Sequence, residues 1–527
     1  MPRSVMEHTF SEVPSIDIPR STFNRSHGHK TTFDADYLVP ILLDDIVPGD
    51  TFNVNCTHYA RVGSPFLHPL MDNLYLETFF FFVPYRLVWD NWEKFCGAQD
   101  DPADSIDFTI PNAGSTAAYD NTGVGAGGAA ALSDYLGWPV KASVDQRDFS
   151  ALPFRAYNLI WNEWFRDQNL QDSATVNTDN GPDAFTTNYS MLKRGKRHDY
   201  FTSCLPWPQK GDAVTAPLGT TAPVVTEASE TNAITIYSTP EGEERLLDHT
   251  GVAGAPVTVD TIAAATGTLT VDLSSAASAT INELRLAFQT QRLLERDARS
   301  GTRYNETILA HFGVTVPDFR VQRPEFLGGG STPINLNVVP NTSDTATIEQ
   351  AELAAYGTSA GTHGFTKSFT EHGLLMGLAN VRGDITYSQG AERYHFKDTR
   401  YDFYYPVLAQ IGEQSVLNRE IWYNNDANDD LVFGYQERYA ELRYKPSRLS
   451  GLFRVDHAST LASWHLSEDF AALPTLGNSF IQSNTATPLD RAISVPSEPQ
   501  IIADFFFDMR CARPMPLYGV PGNLDHF

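Results

Sequence analysis

The sequence predicts a mainly β protein: one sandwich of two sheets, enlarged by long loops and a few helices. Strand-like segments lie near both ends of the 527-residue chain, with helical patterns and long irregular stretches between them. Pro (32 residues) and Gly (36 residues) interrupt the chain often, which favours short strands and long loops over long helices. Because hydrophobic residues make up 42% of the composition, a sizeable core is expected.

The predicted strands are short segments whose side chains alternate in polarity or are almost all apolar. Over residues 52–62, apolar and polar residues alternate, as in a strand with one buried face. Residues 74–83 (LYLETFFFFV) carry large rings on both faces, which predicts a strand covered on both sides. The segments predicted on these grounds are 37–43, 52–62, 74–83, 395–410 and 503–511.

Both ends of the chain are expected to be extended. Residues 1–30 are polar, with scattered Pro, His and Arg, and are predicted to form an N-terminal arm instead of a packed element. Residues 513–527 are rich in Pro and are predicted to form an extended C-terminal tail. The packed domain is therefore expected to begin at about residue 31.

Helices are predicted where spacing and capping residues agree. Residues 90–96 suggest a short helix. Pro153 can open a second helix, because its missing N–H costs nothing in the first turn, and aromatic residues follow it at helical spacing. Thr280 and Glu283 match a capping box, which predicts a third helix running to about Arg299.

Three long stretches are predicted to be loops or insertions. Residues 98–150 form an acidic, Gly/Ala-rich loop, and residues 318–345 are loop-like with three consecutive glycines. Residues 212–279 are rich in Thr, Ala, Val and Gly, and Tyr237 is their single aromatic residue. A segment with so few large side chains contributes little to a core, so it is predicted to be a surface-exposed, β-rich insertion.

The charge balance restricts how the protein can meet nucleic acid. With 38 Lys and Arg against 64 Asp and Glu, the net charge is −26, so the average field repels DNA. Any DNA contact must use a local basic patch, and two segments qualify. The residues are Lys193, Arg194, Lys196 and Arg197 in the first segment, and Arg438, Arg443, Lys445 and Arg448 in the second.

Each basic segment has two interpretations that the sequence leaves open. Lys and Arg side chains neutralise phosphates, so the first segment suits DNA, but salt bridges to acidic neighbouring subunits explain it equally well. The second segment interleaves Tyr with Arg, which fits a groove for single-stranded nucleic acid or a subunit contact.

No pattern in the sequence predicts catalysis, a cofactor or a metal. The glycines at 123–128 lack the Gly-Lys-Ser/Thr of a phosphate-binding loop, and no Gly-x-Ser-x-Gly elbow occurs. The histidines at 8, 27, 29 and 58 lack paired ligands at zinc spacing, so they are expected to be solvated or at interfaces. The longest apolar run is six residues (79–84), far too short to insert into a membrane.

A sugar-binding or sugar-processing β-sandwich is the alternative class that composition allows, because such proteins are often acidic and rich in aromatic residues. A pair of carboxylates about 5–10 Å apart in a cleft would favour that alternative.

Five long stretches resemble the major capsid proteins of the Microviridae, most closely those of the gokushovirus branch of these bacteriophages. Two of them are MDNLYLETFFFFVPYRLVWDNWEKF (71–95) and DFFFDMRCARPMPLYGVPGNLDHF (504–527); the others span 31–52, 189–211 and 434–458. The resemblance covers nearly the whole chain outside 100–150, 212–279 and 335–365.

The resemblance implies a single eight-stranded viral jelly roll with long inter-strand insertions containing helices. It implies a structural subunit, not an enzyme, that gathers as pentamers into a T=1 icosahedral shell around circular single-stranded DNA. It further implies contacts with other virion proteins, a virion location after assembly in the bacterial cytoplasm, and a spike-like insertion at 212–279 that meets a host surface receptor.

Overall fold

The computed structural model describes most of the chain. The described residues are 19–113, 129–138, 149–215, 280–342 and 350–519, with five short strands between residues 224 and 271. The first eighteen residues and those after 519 lie outside the described part, as do residues 114–128 and 139–148 of the segment 98–150 and most of the segment 212–279.

Strands dominate the described residues. They are β1 (Ser21–Asn24), β2 (His27–Phe33), β3 (Val39–Ile46), β4 (Thr51–Val62), β5 (Leu74–Pro84), β6 (Val224–Thr226), β7 (Ile234–Ser238), β8 (Glu243–Asp248), β9 (Thr258–Asp260), β10 (Leu269–Val271), β11 (Glu325–Pro333), β12 (Asn335–Pro340), β13 (Leu353–Ser368), β14 (Gly373–Gly383), β15 (Glu413–Leu417), β16 (Val432–Glu437) and β17 (Ile501–Arg513).

The helices are mostly short and occur between the strands. They are α1 (Trp92–Phe95), α2 (Ala129–Tyr135), α3 (Leu152–Ile160), α4 (Phe185–Asn188), α5 (Ile281–Ser300), α6 (Tyr304–Phe312), α7 (Asn418–Ile421), α8 (Asn478–Ile481) and α9 (Ala486–Ala492). A π-helical turn (Trp161–Phe165) continues α3. Single 3-10 turns lie at Tyr85–Leu87, Arg393–Phe396, Arg400–Asp402, Pro406–Gln410, Ala440–Leu442, Gly451–Phe453 and Ala462–Trp464.

Two antiparallel sheets form the sandwich. One has the order β17-β4-β13-β12, with β1 and β2 both added on the free side of β17. The other has the order β11-β5-β14-β3. Without β1 and β2, each sheet holds four strands, which agrees with the predicted mainly β jelly roll carrying helical insertions.

The strand patterns explain how the sheets stack. Every second residue of β4 is buried, so one face of its sheet points into the core. Phe80 on β5 contacts Phe365 on β13 across the sandwich, with ring centroids 5.3 Å apart. On the other side of β5, Phe81 lies 5.6 Å from Trp164 in the turn after α3. The strand is thus covered on both sides, as its aromatic sequence predicts.

Several sequence predictions are confirmed by these elements. The strands predicted at 52–62, 74–83 and 503–511 correspond to β4, β5 and β17, and the helices predicted near residues 90 and 153 are α1 and α3. The capping box also forms: the Thr280 N–H donates to Glu283 Oε2 at 2.7 Å, and the Glu283 N–H donates to Thr280 Oγ1 at 3.2 Å.

Other predictions are wrong, each for a physical reason. Residues 318–345 are not a loop but contain β11 and β12. The glycines in β11 are required because a Cβ on Gly329 would collide with the Thr78 carbonyl oxygen. Residues 395–410 are not a strand but a series of 3-10 turns, and Pro406, which opens the last turn, has no N–H to donate in a sheet.

The predicted arm and loop also need correction where they are described. Residues 21–24 and 27–30 of the arm are extended but paired with β17, so they belong to the sheet. The predicted loop at 98–150 contains the helix α2. In the predicted C-terminal tail, residues 514–519 have no regular secondary structure and are mostly exposed.

Residues Gln209–Ser300 form a compact unit separate from the rest of the chain. Within this unit, β6 pairs with β10, and β7, β8 and β9 form a three-stranded sheet. The short alternating runs at 234–236 and 269–271 therefore fall on β7 and β10, and residues 258–259 of the run at 257–259 fall on β9, as a β-rich insertion predicts. Residue 257 lies outside the described residues.

Candidate interaction surfaces

The first basic segment, Lys193–Arg197, is extended and held between two other parts of the chain. The Arg194 N–H donates to the Asp36 carbonyl at 3.0 Å. On the other side, the Lys196 N–H donates to the Ile481 carbonyl at 2.8 Å. These backbone bonds fix where its side chains lie.

Lys196 points into the protein. Its ammonium nitrogen lies 2.7 Å from Glu468 Oε1, and the two side chains are only 4% and 5% exposed. The same nitrogen lies 4.3 Å from the centre of the Phe480 ring, a cation–π contact. By contrast, Lys193 is half-buried, with its ammonium 5.1 Å from the centre of the Tyr37 ring.

The two arginines of this segment share the Glu77 carboxylate with a third arginine, Arg382. Arg194 pairs with Glu77, whose carboxylate also lies 3.5 Å from Arg197 and 3.3 Å from Arg382. Arg197 additionally donates to Asp384 at 2.9 Å. Burial, with the nearby Arg194 as second cause, lowers the pKa of Arg382 to about 10. The segment's charge is therefore largely balanced by carboxylates of the same chain, which sequence reasoning missed.

The second basic segment is much more exposed. Arg438 donates to the Tyr401 carbonyl at 2.9 Å and is half-buried. The side chains of Arg443, Lys445 and Arg448 are 50%, 68% and 63% exposed. These three cations remain accessible to a partner outside the chain.

A concave pocket, here called the tyrosine pocket, lies between the turn Arg393–Phe396 and the loop 441–454. Its volume is about 380 Å³. Among the residues that line it, Tyr394, Tyr423 and Tyr444 are about half exposed. Its charged lining consists of five cationic and three anionic side chains: Arg393, Lys397, Lys445, Arg448, Arg454, Glu392, Glu420 and Glu441.

His58, one of the four histidines expected to be solvated or at interfaces, lies inside the sandwich beside the half-buried His363. His58 on β4 is 1% exposed, and neither of its ring nitrogens has a hydrogen-bond partner. Its ring lies 5.3 Å from that of His363, which hydrogen-bonds with Thr78 at 2.7 Å and Thr332 at 3.0 Å. Burial, and then the neighbouring His363, lower the pKa of His58 to about 4.

Two surfaces expose more apolar area than an isolated subunit needs. The first, called the β12 edge, is the open edge of the six-stranded sheet, where Val338 and Val339 are 51% and 45% exposed. The second, called the aromatic tract, is residues 401–411. Its exposed apolar side chains are Tyr401, Phe403, Tyr404, Tyr405, Val407 and Ile411.

The described residues contain no group of three His, Cys, Asp or Glu side chains arranged to hold a metal. Within the same residues, no helix has both the length and the apolar character needed to cross a membrane. Exposed apolar groups at a sheet edge and on loops mark surfaces that associate with other proteins. The jelly-roll-like sandwich that carries them is a fold used by structural subunits as well as by binding proteins and enzymes.

Comparison with known proteins shows which family the chain belongs to. The sequence matches the family described as Capsid protein (F protein) over residues 11–523. It is 44% identical to capsid protein VP1 of Bdellovibrio phage phiMH2K over 99% of this chain and 98% of the relative. It is also 43% identical to capsid protein VP1 of Chlamydia phage 1 and 36% identical to that of Spiroplasma virus 4, with at least 97% of each chain covered.

The chain therefore belongs to this family of phage capsid proteins. The resemblance to gokushovirus-like Microviridae is confirmed. As a capsid protein, it is a structural component of the virion.

Proposed function

We propose that this protein is the major capsid protein of a small bacteriophage and assembles through pentamers into a T=1 icosahedral shell enclosing circular single-stranded DNA. Its role is structural and not catalytic, as the names of its relatives support. The observation that carries the proposal is the apolar surface of the β12 edge and the aromatic tract, which an isolated soluble subunit rarely leaves open.

The β12 edge has no charged side chain to protect it, and its one proline, Pro340, stands at the end of the strand. Its sequence, Asn-Leu-Asn-Val-Val-Pro, holds no charged residue, and Val338 and Val339 are exposed on opposite faces. The neighbouring strand β13 adds Leu353 and Tyr356, which are 42% and 48% exposed. Because free edges are usually blunted by charges, bulges or cover, this edge is suited to burial against another copy of the chain.

The aromatic tract supports association for a second reason. Aromatic side chains are enriched in the buried centres of protein interfaces. Tyr401 and Val407 are 67% and 86% exposed in the isolated chain. Contact with a neighbouring subunit or another virion protein would remove this area from water.

Further parts of the proposal concern DNA and the host. That each basic segment contacts DNA or a neighbouring subunit remains a prediction. The second is favoured for DNA because its ion pairs lie at the surface, whereas the paired side chains of Arg194, Lys196 and Arg197 are mostly buried. We also propose that residues 212–279 are exposed on the particle and contact a bacterial surface receptor, and that assembly takes place in the host cytoplasm.

The assembly proposal is tested by expressing the full chain and measuring particle size by electron microscopy and light scattering. We expect pentamers or shells of uniform size. Val339→Lys should abolish shells because it places a charge on the β12 edge, whereas Asn55→Lys, on the exposed face of β4, serves as the matched control. A wild-type chain that stays monomeric under every assembly condition would contradict the proposal.

A further inference from the structure

We propose that the tyrosine pocket binds one unpaired nucleotide of single-stranded DNA, with the base among the tyrosines and the phosphate at the cationic rim. This inference rests on the proposed function, namely that the shell encloses single-stranded DNA, and assigns a specific binding site to it.

The more buried charges of the pocket neutralise one another. Arg393 lies 2.9 Å from Glu420, and Lys397 lies 3.3 Å from Glu441. Tyr200 donates a further hydrogen bond to Glu420 at 2.9 Å. These two ion pairs leave the interior without excess charge, as suits an uncharged base.

The charges nearer the surface are unbalanced. Lys445 pairs with Glu392, and Arg448 lies 3.9 Å from the same carboxylate. Arg454 donates to the Ser388 carbonyl at 2.9 Å. The rim thus holds three cations, of which two lie near its single carboxylate, Glu392, so it carries two excess positive charges on a chain whose net charge is −26. This excess attracts a phosphate group.

The walls supply surfaces on which a base can stack. Tyr394, Tyr423 and Tyr444 keep 49%, 50% and 50% of their area exposed while lining the pocket. Stacking of a base on such a ring is sequence-tolerant, because every base has a π face. A volume of about 380 Å³ lies in the usual range for small-molecule sites and suits a single nucleotide.

The same features select single strands over duplex. A base inside a duplex is paired and stacked, so it cannot enter a concave pocket without being extruded. An acidic peptide would satisfy the rim charges but would not need three half-exposed rings. The combination of rings and cations therefore favours single-stranded nucleic acid.

The test measures binding of fluorescein-labelled (dT)12 to the full-length protein by fluorescence anisotropy, with a duplex of equal length for comparison. Tyr444→Leu should weaken single-strand binding roughly 5- to 150-fold, as expected for loss of one stacked base. The double variant Lys445→Gln/Arg448→Gln should reduce the salt slope by about 0.7 for each phosphate that these side chains neutralise in the wild type.

Matched controls remove similar side chains elsewhere. Tyr59→Leu removes a tyrosine that is 56% exposed on β4, and Lys30→Gln removes a lysine that is 80% exposed and paired with Asp504. Neither should change the affinity by more than about twofold. An equal loss in the controls and in the pocket variants, or no single-strand binding by the wild type at low salt, overturns the inference.

A second measurement locates the base. (dT)12 containing one 5-iododeoxyuridine is photocrosslinked to the wild type, and the modified peptide is identified by mass spectrometry. Crosslinks at Tyr394, Tyr423 or Tyr444 support the inference, and crosslinks confined to peptides that hold none of the three overturn it. Because shell formation is scored separately by electron microscopy, failure of this site is distinguishable from failure of the capsid proposal.

Discussion

Replacing Lys196 with Met should destabilise the subunit strongly, and Lys196→Met/Glu468→Leu should restore most of the loss. In Lys196→Met, Glu468 stays buried and loses the cation 2.7 Å away. Removing one partner of a buried ion pair typically costs about 3–5 kcal/mol, because the remaining charge is uncompensated. Replacing both partners by apolar side chains is often neutral, so the double variant should lie within about 1 kcal/mol of the wild type.

The assay is urea unfolding of the full-length subunit followed by tryptophan fluorescence. Lys30→Met is the matched control, because Lys30 also pairs with a carboxylate but is 80% exposed. It should change the free energy of unfolding by less than about 0.5 kcal/mol. A cost below about 1 kcal/mol for Lys196→Met, or no recovery in the double variant, would refute the assignment of Lys196 to the interior. Such a result would return this lysine to the set of DNA-binding candidates.

Three further predictions follow from the interior and from the helix start. The pKa of His58 is about 4 in the fold, below its unfolded value near 6.5, so folding favours the neutral ring. The contribution of the neutral ring to the free energy of unfolding is therefore complete above pH 6.5 and is lost as the pH falls towards 4. Between pH 7.5 and 4.5 the free energy of unfolding of the wild type, measured in urea, should fall by about 2–3 kcal/mol more than that of His58→Leu. An equal fall in the two proteins would exclude the effect. Gly330→Ala should cost more than about 1 kcal/mol by thermal unfolding, since its Cβ would collide with the His363 ring; a neutral result would mean that β11 lies further from β13. Thr280→Ala should cost about 1 kcal/mol because the cap is removed, whereas Thr280→Ser should retain it, as measured by denaturant unfolding followed by circular dichroism; equal stability of the two variants would argue against the capping box.

The fold was predictable where one local pattern matched one environment. The alternation in β4 and the aromatic run in β5 both identify strands, because each pattern reflects which faces are covered. Gly328, Gly329 and Gly330 were misleading, since glycines that suggest a loop are here needed for close approach between strands. The tyrosines of the aromatic tract suggested a strand, but their rings are exposed on 3-10 turns, where strand propensity has little influence.

The site was less predictable because its partners are distant in sequence. Lys196 and Glu468 are 272 positions apart, so no local pattern shows that they meet. The same holds for Arg194 and Glu77. The basic segment that holds Lys445 could be identified from the sequence, but the pocket beneath it is formed by tertiary structure.

The position of β17 constrains when the larger sheet can form during synthesis. Residues 501–513 lie between β2, near the start of the chain, and β4, so these early strands share a neighbour that the ribosome makes last. Until translation passes residue 513, β2 and β4 cannot be joined through it. Because such long-range pairing is slow, a nascent subunit keeps an incomplete sheet through most of its translation and depends on finishing the chain before it can enter a particle.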